Sequence, residues 1–297
     1  MNIQRVLLVG GTHGNELIGV YLIKKFEQSP QLINRSSFET LTLFGNPKAI
    51  DKCVRYIDKD LNRCFNFQAL DYEKNNSFYE NQRAQEISNQ FGLSGNTPID
   101  LVVDQHSTTS NVGLMIILDH LDPFILDLSA YLSFLFPEIK IYSSEKSGRG
   151  KDSLRSIAKH RICIEVGPLS HGTLDAELLQ KTESLVHLIL NYVEQYNRNK
   201  IRSKNKSLTL YEYCDSIDYP RNQEGEIKAM IHPQIQFQDY AALHPGNPLF
   251  LTFDGKTIIY QGKSIAYPIF INESAYYEKG VAMCLTQKKQ FQIDKSQ

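Results

Sequence analysis

From residue 4 to about residue 200, short unbroken apolar runs alternate with stretches in which apolar positions recur every three or four residues. The runs "RVLLVGG", "IDLVVDQHS", "GLMIILD" and "RICIEVGP" are apolar at consecutive positions, which predicts strands covered on both faces. "FETLTLFGNP" alternates and ends at a turn. Helices are predicted between the strands. One runs from Glu16 to Phe26, and the surface helix "YENQRAQEISNQFG" is stopped by Gly92. "DPFILDLSAYLSFLFP" opens with Asp and Pro and stops before Pro137. "DAELLQKTESLVHLILNYVEQYN" is apolar at 178, 179, 185, 186, 189, 190 and 193, which is helical spacing. This order specifies an α/β domain whose sheet is covered by helices on both sides.

The texture changes near residue 200. The polar, basic run "NRNKIRSKNKS" reads as a solvated linker, and short strands with turn signals follow it: "SLTLYEY", "GEIKAMIHP", "PLFLTFDGKTIIY" and "YPIFIN". The expected organisation is an α/β domain over residues 1–200 and a small β-rich domain over 205–297.

Composition narrows the function classes. With 297 residues the chain can bury about 75% of its unfolded surface without disulfides or structural metals. A net charge of -1 gives no reason to expect nucleic acid or an anionic membrane as partner. The five cysteines, Cys53, Cys64, Cys163, Cys214 and Cys284, are odd in number and contain no C-x-x-C, which predicts free thiols in a reducing compartment. The first apolar run is broken by glycine, unlike a signal peptide, and no apolar stretch reaches the ~18 residues of a membrane span. A cytoplasmic location is expected.

The chemistry starts in "LLVGGTHGNELIGV", residues 7–20, where His13 and Glu16 stand in a glycine-rich turn just after a strand. It contains neither G-x-G-x-x-G nor G-K-[ST], so a phosphate cradle is a poor fit. His and Glu are instead ligands of a borderline metal such as zinc. His106 lies just past a second buried strand, and sites in open α/β sheets form outside the carboxyl ends of strands. If the two strands are neighbours, the three side chains meet and leave a fourth position open, the pattern of a catalytic zinc. Glu165 stands in an apolar strand that Gly167 and Pro168 end, so it either has a charged partner or sits at the same mouth, where it can act as a general base. Arg55, Asn62, Arg63 and Arg155 are candidates for binding a carboxylate or an oxyanion.

The blocks "GGTHGNE", "RYIDKDLNR", "DQHSTTSN", "RSIAK", "IEVGP" and "NESAYYEKG" resemble the aspartoacylase group of the zinc carboxypeptidase-like amidohydrolases, in the same order, from residue 4 to about 280. The resemblance implies a carboxypeptidase-like α/β/α domain with a mixed sheet, followed by a β-rich cap. It implies that His13, Glu16 and His106 bind one zinc ion per chain. By the same resemblance Arg55 polarises the scissile carbonyl, Glu165 shuttles the proton, and Asn62, Arg63, Arg155 and Tyr277 hold the substrate. Two positions depart from the animal aspartoacylases. Lys151 replaces a tyrosine four residues before Arg155, and Ser107 replaces an asparagine after the third ligand.

The implied activity is zinc-dependent hydrolysis of a small N-acyl acidic amino acid, foremost N-acetyl-L-aspartate, to acetate and L-aspartate. Alternatives are deacylation of an N-acetyl aromatic amino acid or of N-succinylglutamate, or a non-catalytic metal-binding relative. Arg155 and Lys151 favour a second substrate carboxylate over an aromatic ring, and the presence of Glu165 and Arg55 argues against a mere binding role. The cap argues against peptide substrates. The expected partner is a small molecule, with homo-oligomerisation left open.

Overall fold

In a computed structural model of the chain, which describes residues 2–66, 77–201 and 207–293, the apolar runs become the centre of one mixed sheet. β1 (Arg5–Gly10) shows why they read as continuous: Val6 and Leu8 face one core, Leu7 and Val9 the other. In chain order follow β2 (Glu39–Phe44), β3 (Leu101–Ser107), β4 (Gly113–Leu118), β5 (Lys140–Ser143) and β6 (His160–Gly167). The first core is closed by α1 (Leu17–Gln28), α4 (Pro123–Leu135) and α5 (Ala176–Asn197). The opposite core takes Ala84 and Ile87 of α3 (Tyr79–Phe91), with Leu61 and Leu154 from two short 3₁₀ turns. Between β2 and these turns lies the short α2 (Pro47–Lys52).

Local chemistry sets the helix ends. The Asp122 side chain accepts from Ile125 N ahead of Pro123, and Asp175 accepts from Leu178 N, so α4 and α5 each start on a capping carboxylate.

The C-terminal strands are β7 (Ser207–Ile217), β8 (Ala229–Ile231), β9 (Pro248–Thr252), β10 (Thr257–Ile259), β11 (Tyr267–Ile269) and β12 (Met283–Gln292). The large sheet runs β11-β12-β7-β5-β4-β6-β3-β1-β2, and β10-β9-β8 form a second, small sheet. The β-rich segment therefore joins the central sheet through β7, which pairs in parallel with β5, while also building its own core around Tyr219, Ile231, Leu243 and Phe250. We propose the division near residues 200–205 on that second core; residues 202–206 lie outside the described residues. Two strands have no counterpart in the apolar pattern. β5 has four residues, and the half of β12 carrying "QKKQ" is exposed, so their pairing with β7, which lies between them, is what reveals them. Among the described residues no helix is long and apolar enough to cross a membrane.

The central order matters most for chemistry. β1 and β3 are parallel neighbours, β3 and β6 likewise, so three strand ends open on one side of the sheet. After β1 the chain turns through Gly11 at φ +69, and Gly14 packs directly on α2. A Cβ at position 14 would lie 2.1 Å from the Ala49 carbonyl carbon, a backbone clash that no rotamer relieves. Gly14→Ala should therefore cost about 1–3 kcal/mol or more of unfolding free energy, as overpacked sites do. Chemical denaturation of the variant checks this, and wild-type stability would contradict the close approach.

Candidate active site

His13 and Glu16 follow β1, His106 ends β3, and Glu165 on β6 is the register partner of His106. The strand adjacency that the sequence reading required is present. One ligand atom from each of His13, Glu16 and His106 lies within 4.8 Å of the others, and all three residues are buried. His13 Nδ1 is 2.6 Å from Glu16 Oε1, His106 Nδ1 is 2.7 Å from Glu16 Oε2, and the two Nδ1 atoms are 3.2 Å apart.

The other ring nitrogens decide the tautomers. His106 Nε2 is 2.7 Å from Asp104 Oδ2, and His13 Nε2 is 3.1 Å from Asp60 Oδ1. An ionised carboxylate only accepts, so each Nε2 carries a proton and donates. Both Nδ1 lone pairs are then aimed at each other and at Glu16. An all-acceptor cluster buried this closely calls for positive charge in its midst. The same demand shows in the titration of the groups. Burial opposes a charged imidazole, yet Asp104 and Glu16 on either side raise the His106 pKa well above its usual value. Burial likewise opposes ionised Glu16, yet His13 and His106 hold its pKa well below the usual value. Two imidazoles and a carboxylate are a catalytic zinc set, and Asp60 and Asp104 are the outer carboxylates that commonly orient such histidines. The donor set therefore fits a zinc-type cation.

Arg55 lies against this cluster. Its Nη1 donates to Glu16 Oε1 at 3.1 Å, and its Nη2 is 2.9 Å from His13 Nε2 and 3.6 Å from Asp60 Oδ2. The Asp60 carboxylate faces both Nη2, as an ion pair at 3.6 Å, and His13 Nε2, at 3.1 Å, and its negative charge offsets the close approach of the two nitrogens. The segment carrying Arg55 and Asp60 is pinned by the fully buried Glu80, which accepts from Ile57 N, Asp58 N and Lys59 N.

His13, Glu16, His106, Arg55 and Asp60 line a cavity of about 110 Å³. Asn62, Arg63, Arg155 and Glu165 also line it. Burial pushes the Glu165 carboxyl up to about 8; His106 opposes the rise, and Glu16 and Glu273 add to it. Asn62 is buried and accepts from Leu154 N at 2.9 Å, while Arg63 reaches Asp152 at 3.1 Å. Arg155 is buried, donates from Nε to Asp119 at 2.8 Å, and meets Asp104 at 3.3 Å. Lys151 is exposed and stands outside the lining.

Tyr277 is a correction. It too stands outside this cavity: it is exposed, stacks on Tyr219 with ring centroids 4.8 Å apart, and donates to Asn272 Oδ1 at 2.5 Å. Its neighbour Tyr276 lines the cavity instead. Successive residues of a 3₁₀ turn point about 120° apart, so only one of the pair can face inward.

Asp60, Asp104, Glu273 and Lys279 also belong to the site, unexpected from the sequence. Asp104 sits in an apolar strand like Glu165, and the same burial argument applied to "VVDQH" would have found it. Glu273 clamps the C-terminal segment onto the β3 end by accepting from Thr109 N at 2.8 Å and from Thr108 Oγ1. Lys279 donates to Asp60 Oδ2 at 2.7 Å across the same boundary.

Comparison with known proteins places this geometry in a lineage. Residues 2–193 match the model of the succinylglutamate desuccinylase/aspartoacylase catalytic domain, and residues 206–288 that of the AstE/AspA barrel-sandwich hybrid domain. A probable aspartoacylase of Nostoc sp. is 53% identical over 97% of each chain. An N-acyl-aromatic-L-amino acid amidohydrolase (carboxylate-forming) of Xenopus laevis is 39% identical over 97% of this chain and 95% of its own. The crystal structure of murine aminoacylase 3 superposes with a TM-score of 0.90 at 35% identity, covering 99% of this chain and 98% of that one.

If Asp104 sets the His106 tautomer, Asp104→Asn should weaken zinc binding about 10–100-fold, the usual loss on removing an outer partner. Competition against a chromophoric chelator reads this, and unchanged affinity would contradict the tautomer assignment.

Proposed function

The chain belongs to the succinylglutamate desuccinylase/aspartoacylase family, and from that premise we propose that it is a zinc-dependent amidohydrolase of small N-acyl acidic amino acids, foremost N-acetyl-L-aspartate. The observation that carries the reading is the cluster of two bare Nδ1 atoms and Glu16, with Glu165 and Arg55 in the same cavity.

His13 Nδ1, Glu16 and His106 Nδ1 would hold one zinc ion. Such an ion supplies Lewis acidity and lowers the pKa of water to about 7. The remaining work falls to the chain. Glu165, beside His106 on the neighbouring strand and lining the cavity, takes the proton of the attacking water. It then delivers that proton to the amide nitrogen as the C–N bond breaks, giving the free carboxylic acid and the amino acid. Burial raises the pKa of Glu165, which favours holding the proton between the two transfers, and a bound zinc ion would lower it again so that the carboxylate starts ionised. Arg55 offers its guanidinium to the oxygen on which negative charge develops.

Four cationic side chains, Arg55, Arg63, Arg155 and Lys279, line the cavity, which supports an anionic substrate. Of the five N–H donors of Arg155, Asp119 and Asp104 use three, leaving two for the side-chain carboxylate of the substrate. Tyr276 takes the place assigned to Tyr277 as the tyrosine over the substrate. Ile117, Tyr142 and Phe270 form an apolar wall of the same cavity. With the Xenopus relative's name, that wall favours N-acyl aromatic amino acids as the second reading.

Glu165→Gln should retain zinc yet lose about 10²- to 10⁴-fold in rate. Arg155→Ala should lower kcat/KM for N-acetyl-L-aspartate by roughly 30- to 5,000-fold, and far less for N-acetyl-L-tyrosine. Steady-state kinetics of wild type and both variants on the two substrates check this. Wild-type preference for N-acetyl-L-tyrosine would select the second reading, and equal losses on both substrates would remove Arg155 from selectivity.

A further inference from the structure

The histidines are held by two arms of the same design. On one side His106 Nε2 meets Asp104, and Asp104 meets Arg155. On the other side His13 Nε2 meets Asp60, and Asp60 meets Lys279. Both terminal cations line the cavity. The Arg155 arm belongs wholly to the catalytic half, whereas Lys279 arrives from the β-rich segment, 219 residues along the chain from its partner.

Resting on the function proposed above, we infer that Lys279 reads the α-carboxylate of the N-acyl amino acid while Arg155 takes the side-chain carboxylate. Three observations support the assignment. An ammonium carries three donors, and Asp60 is given one, so two N–H groups remain. The Lys279 side chain keeps 25% exposure against 9% for Asp60, so the cation is on the open side of the pair. Its surroundings also favour an incoming anion. Burial pushes its pKa below the usual lysine value; Asp60 opposes this, and the like charges of Arg55 and Arg63 add to it. A carboxylate placed among these three cations relieves both burial and repulsion.

The arm is held in place independently of any substrate. Tyr56, next to Arg55, donates to Glu278 Oε2 at 2.9 Å, and Glu273 fixes the start of the same 3₁₀ turn. The turn therefore presents Tyr276 and Lys279 to the cavity as one unit. Because every N-acyl amino acid has an α-carboxylate, this arm sets the class of substrate, and the Arg155 arm selects within it.

The test is a cycle of enzyme and substrate changes. Wild type, Lys279→Met and Lys279→Arg are assayed on N-acetyl-L-aspartate, N-acetyl-L-asparagine and the α-amide of N-acetyl-L-aspartate, with zinc content measured for each protein. Lys279→Met should cut kcat/KM at least about 30-fold on the two substrates with a free α-carboxylate. On the α-amide, where the wild type has already lost the contact, the further loss should be under about 3-fold. Lys279→Arg should restore most of the activity, and zinc content should stay at the wild-type level. Equal losses on all three substrates, with zinc lost, would show that Lys279 acts only through Asp60 and His13 and would overturn the inference. Undiminished Lys279→Met activity, or a wild type indifferent to the α-amide, would overturn it alone. A wild type inactive on every N-acyl amino acid would remove both this inference and the proposed function.

Discussion

Two imidazole Nδ1 atoms 3.2 Å apart, each facing an oxygen of one buried carboxylate, form an arrangement that needs a positive charge between its members. Asp60 and Asp104 make that need unavoidable, because they occupy the Nε2 atoms and leave the Nδ1 lone pairs without donors. Much of the surrounding structure holds these atoms in place. The parallel run of β1, β3 and β6 brings the three strand ends together, and Gly14 lets the His13 turn lie directly on α2. Glu80 spends its carboxylate on three backbone amides so that the loop between Arg55 and Asp60 stays where the histidine needs it.

The charges around the cluster follow from the same constraint. Asp104 is fully buried, and a buried carboxylate is costly unless each oxygen has a partner. Thr12, His106 and Arg155 supply them. Asp60 is met by His13, the Asn62 amide and Lys279. Those partnerships bring cations to the cavity, so groups that orient His13 and His106 also make the cavity attractive to an anion. The C-terminal segment is part of this network, since Glu273, Tyr276 and Lys279 all belong to one short stretch anchored on the β3 end.

What the sequence disclosed reflects which signals are local. The α/β/α architecture was legible because strands covered on both faces read as unbroken apolar runs. His13, Glu16, His106 and Glu165 were legible because each stands at or near a strand end, and their meeting required only that β1, β3 and β6 be neighbours. Arg55, Asn62, Arg63 and Arg155 all reach the cavity as well. The failures concern side-chain direction and long-range pairing. Tyr276 and Tyr277 are indistinguishable in "SAYYEK" until the turn type is known. Lys151 has the right charge four residues from Arg155 but faces solvent. Lys279 reads as a surface lysine until its partner, in a distant part of the chain, is seen. β12 escaped notice because half of it is polar and exposed.

The central claim is that the chain has fixed two histidine tautomers so that Nδ1, not Nε2, receives a cation. Anomalous-difference diffraction at the zinc edge, on crystals of the zinc-loaded protein, tests this directly. The account predicts one zinc peak per chain, bonded to Nδ1 of His13, Nδ1 of His106 and the Glu16 carboxylate, with Asp60 and Asp104 still on the Nε2 atoms. Zinc bonded through Nε2, or a site that takes up no zinc, would contradict it.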